Sequence, residues 1–251
     1  MFIPHVFVEE ELAAGGQATL APDDAHHLLR VLRRSPGDRV VAVTPAGRRW
    51  LGRLEGGTPP RVRAVEALPA SEPPLHVTLG QGLPKGAKME EVVRHGTEVG
   101  VSRFVPVLAA RSISRPRDAA VVRRVERWRR IAREAARQAQ RSAVPRVDPP
   151  QTLEALLAEA PWDLILMPWE EEEARGLREE LAARAAAWGR PAAGRRVLIL
   201  IGPEGGWEAR EVEAARRAGA RVVTLGPRIL RTETAGVLVA GLVLHVLGDL
   251  G

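Results

Sequence analysis

The sequence predicts an α/β protein, a parallel sheet with helices packed on its faces, preceded by a smaller β-rich domain. Two strand–loop–helix units in succession, 196–217 and 221–247, predict the parallel sheet, because parallel strands need a crossover that a helix supplies. Short stretches of alternating apolar and polar residues between turns predict the β-rich part near the start. The proline cluster Pro69-Ala70-Ser71-Glu72-Pro73-Pro74 separates the two. Domains are therefore expected at 1–68 and 75–251, with 69–74 as a semi-rigid linker.

In the first domain, Arg39–Val43, Arg48–Leu54 and Arg61–Val65 alternate over strand lengths and are divided by Pro-Ala-Gly and Gly-Gly-Thr-Pro-Pro turns. One short helix is expected from Asp23 to Arg33. Arg30, Arg33, Arg34, Arg48, Arg49, Arg53, Arg61 and Arg63 give the domain a basic surface. Solvation explains any one of them, but the group points to a polyanionic partner. His26 and His27 have no third ligand at suitable spacing, so they are read as helix-surface and core positions, not as a metal site.

The second domain opens with Leu75–Gly80 as a strand and Lys88–Val99 as a helix whose Met89, Val92, Val93, Gly96 and Val99 share a face. Arg103–Leu108 is the next strand. Asp118–Arg141 is a long helix with an apolar stripe of Val121, Val125, Trp128, Ala132 and Ala135. Arg123, Arg124, Arg127, Arg130, Arg133, Arg137 and Arg141 crowd its other sides, and pairing with Glu126 and Glu134 accounts for about half of them. A helix over Thr152–Ala160, a strand over Asp163–Met167 and a helix over Glu170–Trp188 follow. The carboxylates Glu170 to Glu173 fit the positive end of that helix better than a metal site.

Val197–Ile201 is an unbroken apolar run that suits a strand covered on both faces. Trp207–Arg217 is a helix stopped at Gly219, Arg221–Leu225 a strand, and the last helix opens near Thr232-Glu233-Thr234. Its body, Ala235–Leu247, is apolar nearly all round, so one side should cover its own sheet and the other meet a partner subunit.

Ligands of such sheets lie beyond the carboxyl ends of the strands, so Gly202-Pro203-Glu204-Gly205-Gly206 and Gly226–Arg231 should face one crevice. Neither loop is G-x-G-x-x-G or carries the Gly-Lys-Ser/Thr of a P-loop, and Glu204 would compete with a phosphate for the helix amides. A neutral or cationic ligand fits better. Gly226-Pro227 alone is explained as a tight turn; the two loops together are not.

Those residues carry a resemblance. Ile201 to Gly206, then Leu225-Gly226, Ile229-Leu230-Arg231 and Glu233-Thr234-Ala235, resemble the cofactor signature of the knotted (SPOUT) RNA methyltransferases, and within them the bacterial 16S ribosomal RNA uracil-N3 methyltransferase family. Lys85, Lys88, Glu91, Thr97–Val101, Arg111-Ser112 and the 134–141 segment match the same pattern in order and spacing. His26–Arg33 with Gly37-Asp38 resembles the family's N-terminal PUA-like RNA-binding barrel. The resemblance implies a trefoil-knotted parallel-sheet domain, S-adenosylmethionine as cofactor, a homodimer formed through the C-terminal helix, and 16S rRNA, within the small ribosomal subunit, as substrate. It further implies a cofactor site of Leu200, Ile201, Gly202, Pro203, Glu204, Gly205, Gly206, Leu225, Gly226, Ile229, Leu230, Arg231, Glu233, Thr234 and Ala235. Arg30, Arg33, Lys85, Lys88, Arg111, Gln138 and Arg141 would meet RNA. One departure is His5, where the family usually carries an arginine-bearing pattern before its first aromatic, so no RNA contact is assigned to the extreme N-terminus.

Composition sets limits. In 251 residues there is no cysteine, which excludes disulfides, thiolate metal sites and cysteine nucleophiles. The net charge of +6 is carried almost wholly by arginine, with Lys85 and Lys88 the only lysines. Arginine suits bidentate phosphate contacts, although a GC-rich genome explains the bias as a whole. No signal peptide or membrane span is evident, so a cytoplasmic location is expected.

Methyl transfer from a sulfonium is an in-line displacement that needs no metal. Uracil N3 is protonated at neutral pH, so the site must supply a base or a cation that stabilises the deprotonated ring. Arg231 is the candidate for the cation and Glu204 for the base. The rivals are a ribose 2′-hydroxyl or another RNA as acceptor, and a non-catalytic RNA-binding protein of the same fold.

Overall fold

A computed structural model describes residues 3–112, 118–159 and 161–251. Contacts divide the chain into two units, Met1–Glu72 with Ala136–Val144, and Pro73–Ala135 with Pro145–Gly251. The first crossing falls within the expected linker. The segment Ala136–Val144, expected in the second domain, groups instead with the first unit.

The first unit holds a five-stranded sheet in the order β1-β3-β4-β5-β2, with β1 His5–Phe7, β2 Gln17–Thr19, β3 Arg39–Val43, β4 Arg49–Glu55 and β5 Arg61–Leu68. Strands β3, β4 and β5 form the expected antiparallel meander, while β1 lies parallel to β3 and β2 antiparallel to β5. The two outer strands have three residues each, too few for an alternation to register in the sequence. Val6, Leu28, Val40, Ala42, Leu54 and Val62 share one core, and Phe7, Val41, Val43 and Ala136 pack on the opposite face. Burial on both faces holds β3 in register, since a slip by one residue would exchange its two apolar sets. The helix expected over Asp23–Arg33 is an α-helix, α1, at Pro22–His26, followed by a π-helical turn at His27–Val31, closed by Leu32 N–H donating to His27 O at 2.9 Å. Arg33 leaves that turn at φ 51°, a left-handed conformation uncommon for a side chain of its size.

The second unit is built on a parallel six-stranded sheet ordered β11-β9-β10-β6-β7-β8. Its strands are β6 His76–Gly82, β7 Arg103–Val107, β8 Arg146–Val147, β9 Leu164–Pro168, β10 Arg196–Ile201 and β11 Arg221–Val223. The helices are α2 Lys88–Val99, α3 Asp118–Gln138, α4 Leu153–Ala158, α5 Leu177–Trp188, α6 Ala209–Arg217 and α7 Thr232–Leu247. Strand β10 is central and Val197 to Leu200 are fully buried, as the unbroken apolar run requires. One face carries a core of Val105, Leu153, Leu156, Met167, Leu198, Leu200, Trp207 and Val212. On the other, α7 packs against β6, β10, α2 and α5. After β11 at the sheet edge the chain therefore runs back to the centre of the sheet before it ends.

Two helix boundaries differ from expectation for electrostatic reasons. Helix α6 begins at Ala209 and not at Trp207, because Glu208 caps it in a reciprocal capping box with Glu211. Trp207 is buried beneath it. The helix expected from Glu170 starts only at Leu177, so Glu170 to Glu173 are not a first helical turn. They occupy a turn in which Glu172 accepts from the Ala174 and Arg175 N–H groups and pairs with Arg216, while Glu179 and Glu180 hold the acidic first-turn positions of α5. Thr152 caps α4 as its position suggests, and the expected helix end at Ala160 lies outside the described residues.

His5 is 2% exposed in β1. Burial, and then the Arg49 charge, lower its pKa from 6.5 to about 4. The unfolded chain therefore binds a proton between these values that the folded chain does not, so stability falls as pH drops below 6.5. Urea unfolding should show a loss on the order of 1 kcal/mol between pH 7 and pH 5.5 that His5→Gln abolishes.

Candidate active site

Because every strand of the second sheet is parallel, the loops after β6, β7, β9, β10 and β11 all leave at its carboxyl end. The loop after β10 is held on three sides. Gly202 O accepts the Thr232 hydroxyl at 2.5 Å, Gly205 O accepts Arg111 Nη1 at 2.9 Å, and Pro203 O closes a tight turn onto Gly206 N at 2.9 Å. Gly206 sits at φ 68°, where a side chain would be strained and would also collide with the Glu170 carboxylate. Gly82, at the end of β6, faces Pro203 so closely that an added Cβ would stand 2.5 Å from its ring and backbone nitrogen.

Thr232 opens α7 and is nearly buried. Its hydroxyl has a single proton, which goes to Gly202 O, so it must accept from Gln81 Nε2 at 2.7 Å. That chain joins the ends of β6 and β10 to the start of α7. Neither Gln81 nor Thr232 is among the expected site residues. The signal was there in Gly80-Gln81-Gly82, a lone amide between two glycines at the end of an apolar strand.

A second polar tie lies beside the first. Lys88 Nζ, at the start of α2, stands 3.0 Å from Glu204 Oε1 and 3.3 Å from Glu233 Oε2. Glu204 also accepts the Lys85 N–H at 3.1 Å. The Glu204 partnership raises the Lys88 pKa above the ordinary lysine value. Burial pushes Glu204 upward, but its own N–H, the Lys88 ammonium and the Lys85 N–H together hold it below the usual carboxylate range. A carboxylate so held is a poorer proton acceptor, which weighs against Glu204 as a base. Lys88, expected at RNA, has its charge taken up by these two carboxylates.

The remaining expected residues fall into groups. Leu200 and Ile201 are strand core; Glu233 and Ala235 lie in the first turn of α7, with Thr234 exposed beside them. Leu225 and Gly226 line a cavity of about 590 Å³ with Leu177, Leu181, Leu238 and Leu242, an apolar space between α5 and α7. Ile229 is 94% exposed, Leu230 is half-buried, and Arg231 is exposed at the cap position of α7 with no side-chain ion pair among the described residues. Lys85 and Arg111 are exposed at the same end of the sheet. In the first unit Arg30, Arg33 and Gln138 are exposed.

Arg141 is a correction. It is 4% exposed and its guanidinium holds Glu72 at 2.5 Å, whose other oxygen accepts the Ser142 and Ala143 N–H groups. It is a structural ion pair that cannot present a charge to RNA. Two more arginines of the long helix are also paired, Arg127 with Glu90 and Arg137 with Asp24. No group of three or more His, Asp or Glu among the described residues is placed to hold a metal.

A parallel sheet whose glycine-rich loop after β10 is fastened at its carboxyl end, in a chain that also carries an arginine-rich β unit, suits an α/β enzyme that binds its ligand at that end and acts on a polyanion. The RNA methyltransferase domain family matches residues 71–244 and the RNA methyltransferase PUA domain family residues 20–66, so the chain belongs to the RNA methyltransferases. Ribosomal RNA small subunit methyltransferase E of Bacillus subtilis is 34% identical over 86% of this chain and 85% of its own length. That of Mycobacterium bovis is 32% identical over 91% and 86%. The crystal structure of ribosomal RNA small subunit methyltransferase E from Neisseria gonorrhoeae, bound to S-adenosylmethionine, covers 100% of both chains at 29% identity and a TM-score of 0.84. The second unit is thus a SPOUT-type methyltransferase domain and the first a PUA-like domain. Thr232→Val should cost about 1–3 kcal/mol in chemical unfolding, because it removes the donor to the Gly202 carbonyl and leaves the Gln81 amide only its longer 3.3 Å bond to Gly82 O, whereas Thr232→Ser should cost less.

Proposed function

We propose that this chain transfers a methyl group from S-adenosylmethionine to N3 of a uridine in 16S ribosomal RNA of the small subunit. One observation carries the reading: the glycine-rich loop after β10 and the first turn of α7 are fastened together at the end of β6, while Leu225 and Gly226 of the loop after β11 line an apolar cavity against α5 and the later turns of α7. A cavity of about 590 Å³ suits a nucleoside-sized ligand. Leu225 and Gly226 line that cavity, and the backbone of Gly202, Gly205, Ile229, Leu230 and Ala235 is expected to complete the cofactor site. When bound, S-adenosylmethionine supplies a methyl group on a positively charged sulfur.

The protein's share is placement and charge. Arg231, exposed at the cap position of α7 and without a side-chain ion pair among the described residues, stabilises the deprotonated uracil. Glu204 serves the cradle through Lys88 and stays ionised. Lys85 and Arg111 at the sheet end, and Arg30, Arg33 and Gln138 in the first unit, meet the RNA. Arg33 in its left-handed conformation supports that role, since strained backbone is retained where a side chain must be aimed. We further propose that α7 forms a homodimer contact through Leu238 and Leu242, which are 42% and 39% exposed on a helix whose Val239, Val243, Leu244 and Leu247 are fully buried. The chain running back from β11 to the centre of the sheet is consistent with the trefoil knot, and no helix among the described residues is long and apolar enough to cross a membrane. A cytoplasmic site of action follows from the substrate.

Incubation with labelled S-adenosylmethionine and small ribosomal subunits, followed by nucleoside mass spectrometry, should yield N3-methyluridine. Methyl transfer to a ribose hydroxyl, or no cofactor binding by calorimetry, would sink the assignment. Arg231→Ala should lower kcat by about 10²–10³-fold with little change in cofactor KM. Glu204→Gln should leave the shape of the pH–rate profile intact.

A further inference from the structure

We propose that Lys88 is a positioning residue of the cofactor site, whose ammonium draws the loop after β10 and the first turn of α7 into one cradle. This rests on the assignment of 202–206 and 225–235 to the methyl donor. Two carboxylates from distant parts of the chain, Glu204 and Glu233, converge on a single cation at 3.0 and 3.3 Å. Their own repulsion would part them without it, because like charges at such separations disfavour each other's ionised form. The cation stands at the first residue of α2, and α2 packs along α7, so the point to which both segments are drawn is itself anchored.

Arg111, which donates to Gly205 O at 2.9 Å, fixes the same loop independently. Loss of Lys88 therefore loosens the cradle without unfolding it. The tie acts on shape, so it should serve the cationic donor and its neutral product equally. A field effect would not: removing a positive charge would favour S-adenosylmethionine over S-adenosylhomocysteine.

Lys88→Met and Lys88→Arg test this by calorimetry with both compounds and by steady-state kinetics. Lys88→Met should weaken both ligands by about tenfold and raise the cofactor KM to match, with kcat at saturation changed less than about threefold. Lys88→Arg, which can still reach two carboxylates, should restore both affinities to within about threefold. Glu233→Gln, which removes one arm only, should give an intermediate loss and serves if Lys88→Met fails to fold. Unchanged cofactor affinity in Lys88→Met, a selective gain for the cationic donor, or a loss confined to RNA binding would each overturn the proposal. Amide shift mapping of the wild type with S-adenosylmethionine separates the two levels: perturbation away from 202–206 and 225–235 refutes the site itself, whatever the variants do.

Discussion

The hydrogen-bond chain from Gln81 through Thr232 to Gly202 is the constraint that joins β6, the loop after β10 and α7 at the second unit's candidate site. It is directional, since one hydroxyl proton serves Gly202 and obliges the Gln81 amide to donate. The amide's other end, Oε1, has no partner among the described residues and lies where a side chain on Gly236 would come within 2.9 Å. A glycine inside an apolar helix usually costs stability. Here it lets α7 approach β6 closely enough for the chain of bonds to form. Buried polar groups left half-satisfied are costly, so a sequence that keeps one at the meeting point of three segments favours fixed geometry over stability.

Much of this architecture is legible in the sequence where period and length are distinctive. The boundaries of β3 and α2 can be read directly, because the apolar run Val40-Val41-Ala42-Val43 between turn residues and the helical face of α2 are distinctive over those spans. Strands of two or three residues such as β1, β2 and β8 carry no period and exist only through pairing. The acidic run at 170–173 misleads because carboxylates suit both a helix start and a turn, and only the Arg216 partner, far along the chain, decides. Of the site, the glycine loops and Glu233 are visible as motif residues. Gln81 stands out only as a lone amide between two glycines, and its role emerges once its partner, distant in sequence, is known.

Arginine illustrates the same limit from the other side. Composition suggests a surface made for a polyanion, yet Arg48, Arg63, Arg103, Arg137 and Arg141 each face a carboxylate of this chain. Arg103 in particular joins Asp148 and Glu159, with Arg146 on the other side of Asp148. A count of positive residues therefore overstates the charge offered to a partner, and exposure together with pairing is the better guide.

The return of Ala136–Val144 to the first unit gives the molecule an unusual connectivity. Cleavage in the proline-rich connector would free neither half in finished form, because Phe7, Val41 and Val43 would lose Ala136 from their core and Glu72 would lose the Arg141 guanidinium. The small β unit is thus completed by residues synthesised only after the first strands of the enzyme domain. Its assembly on the ribosome must wait for a part of its neighbour.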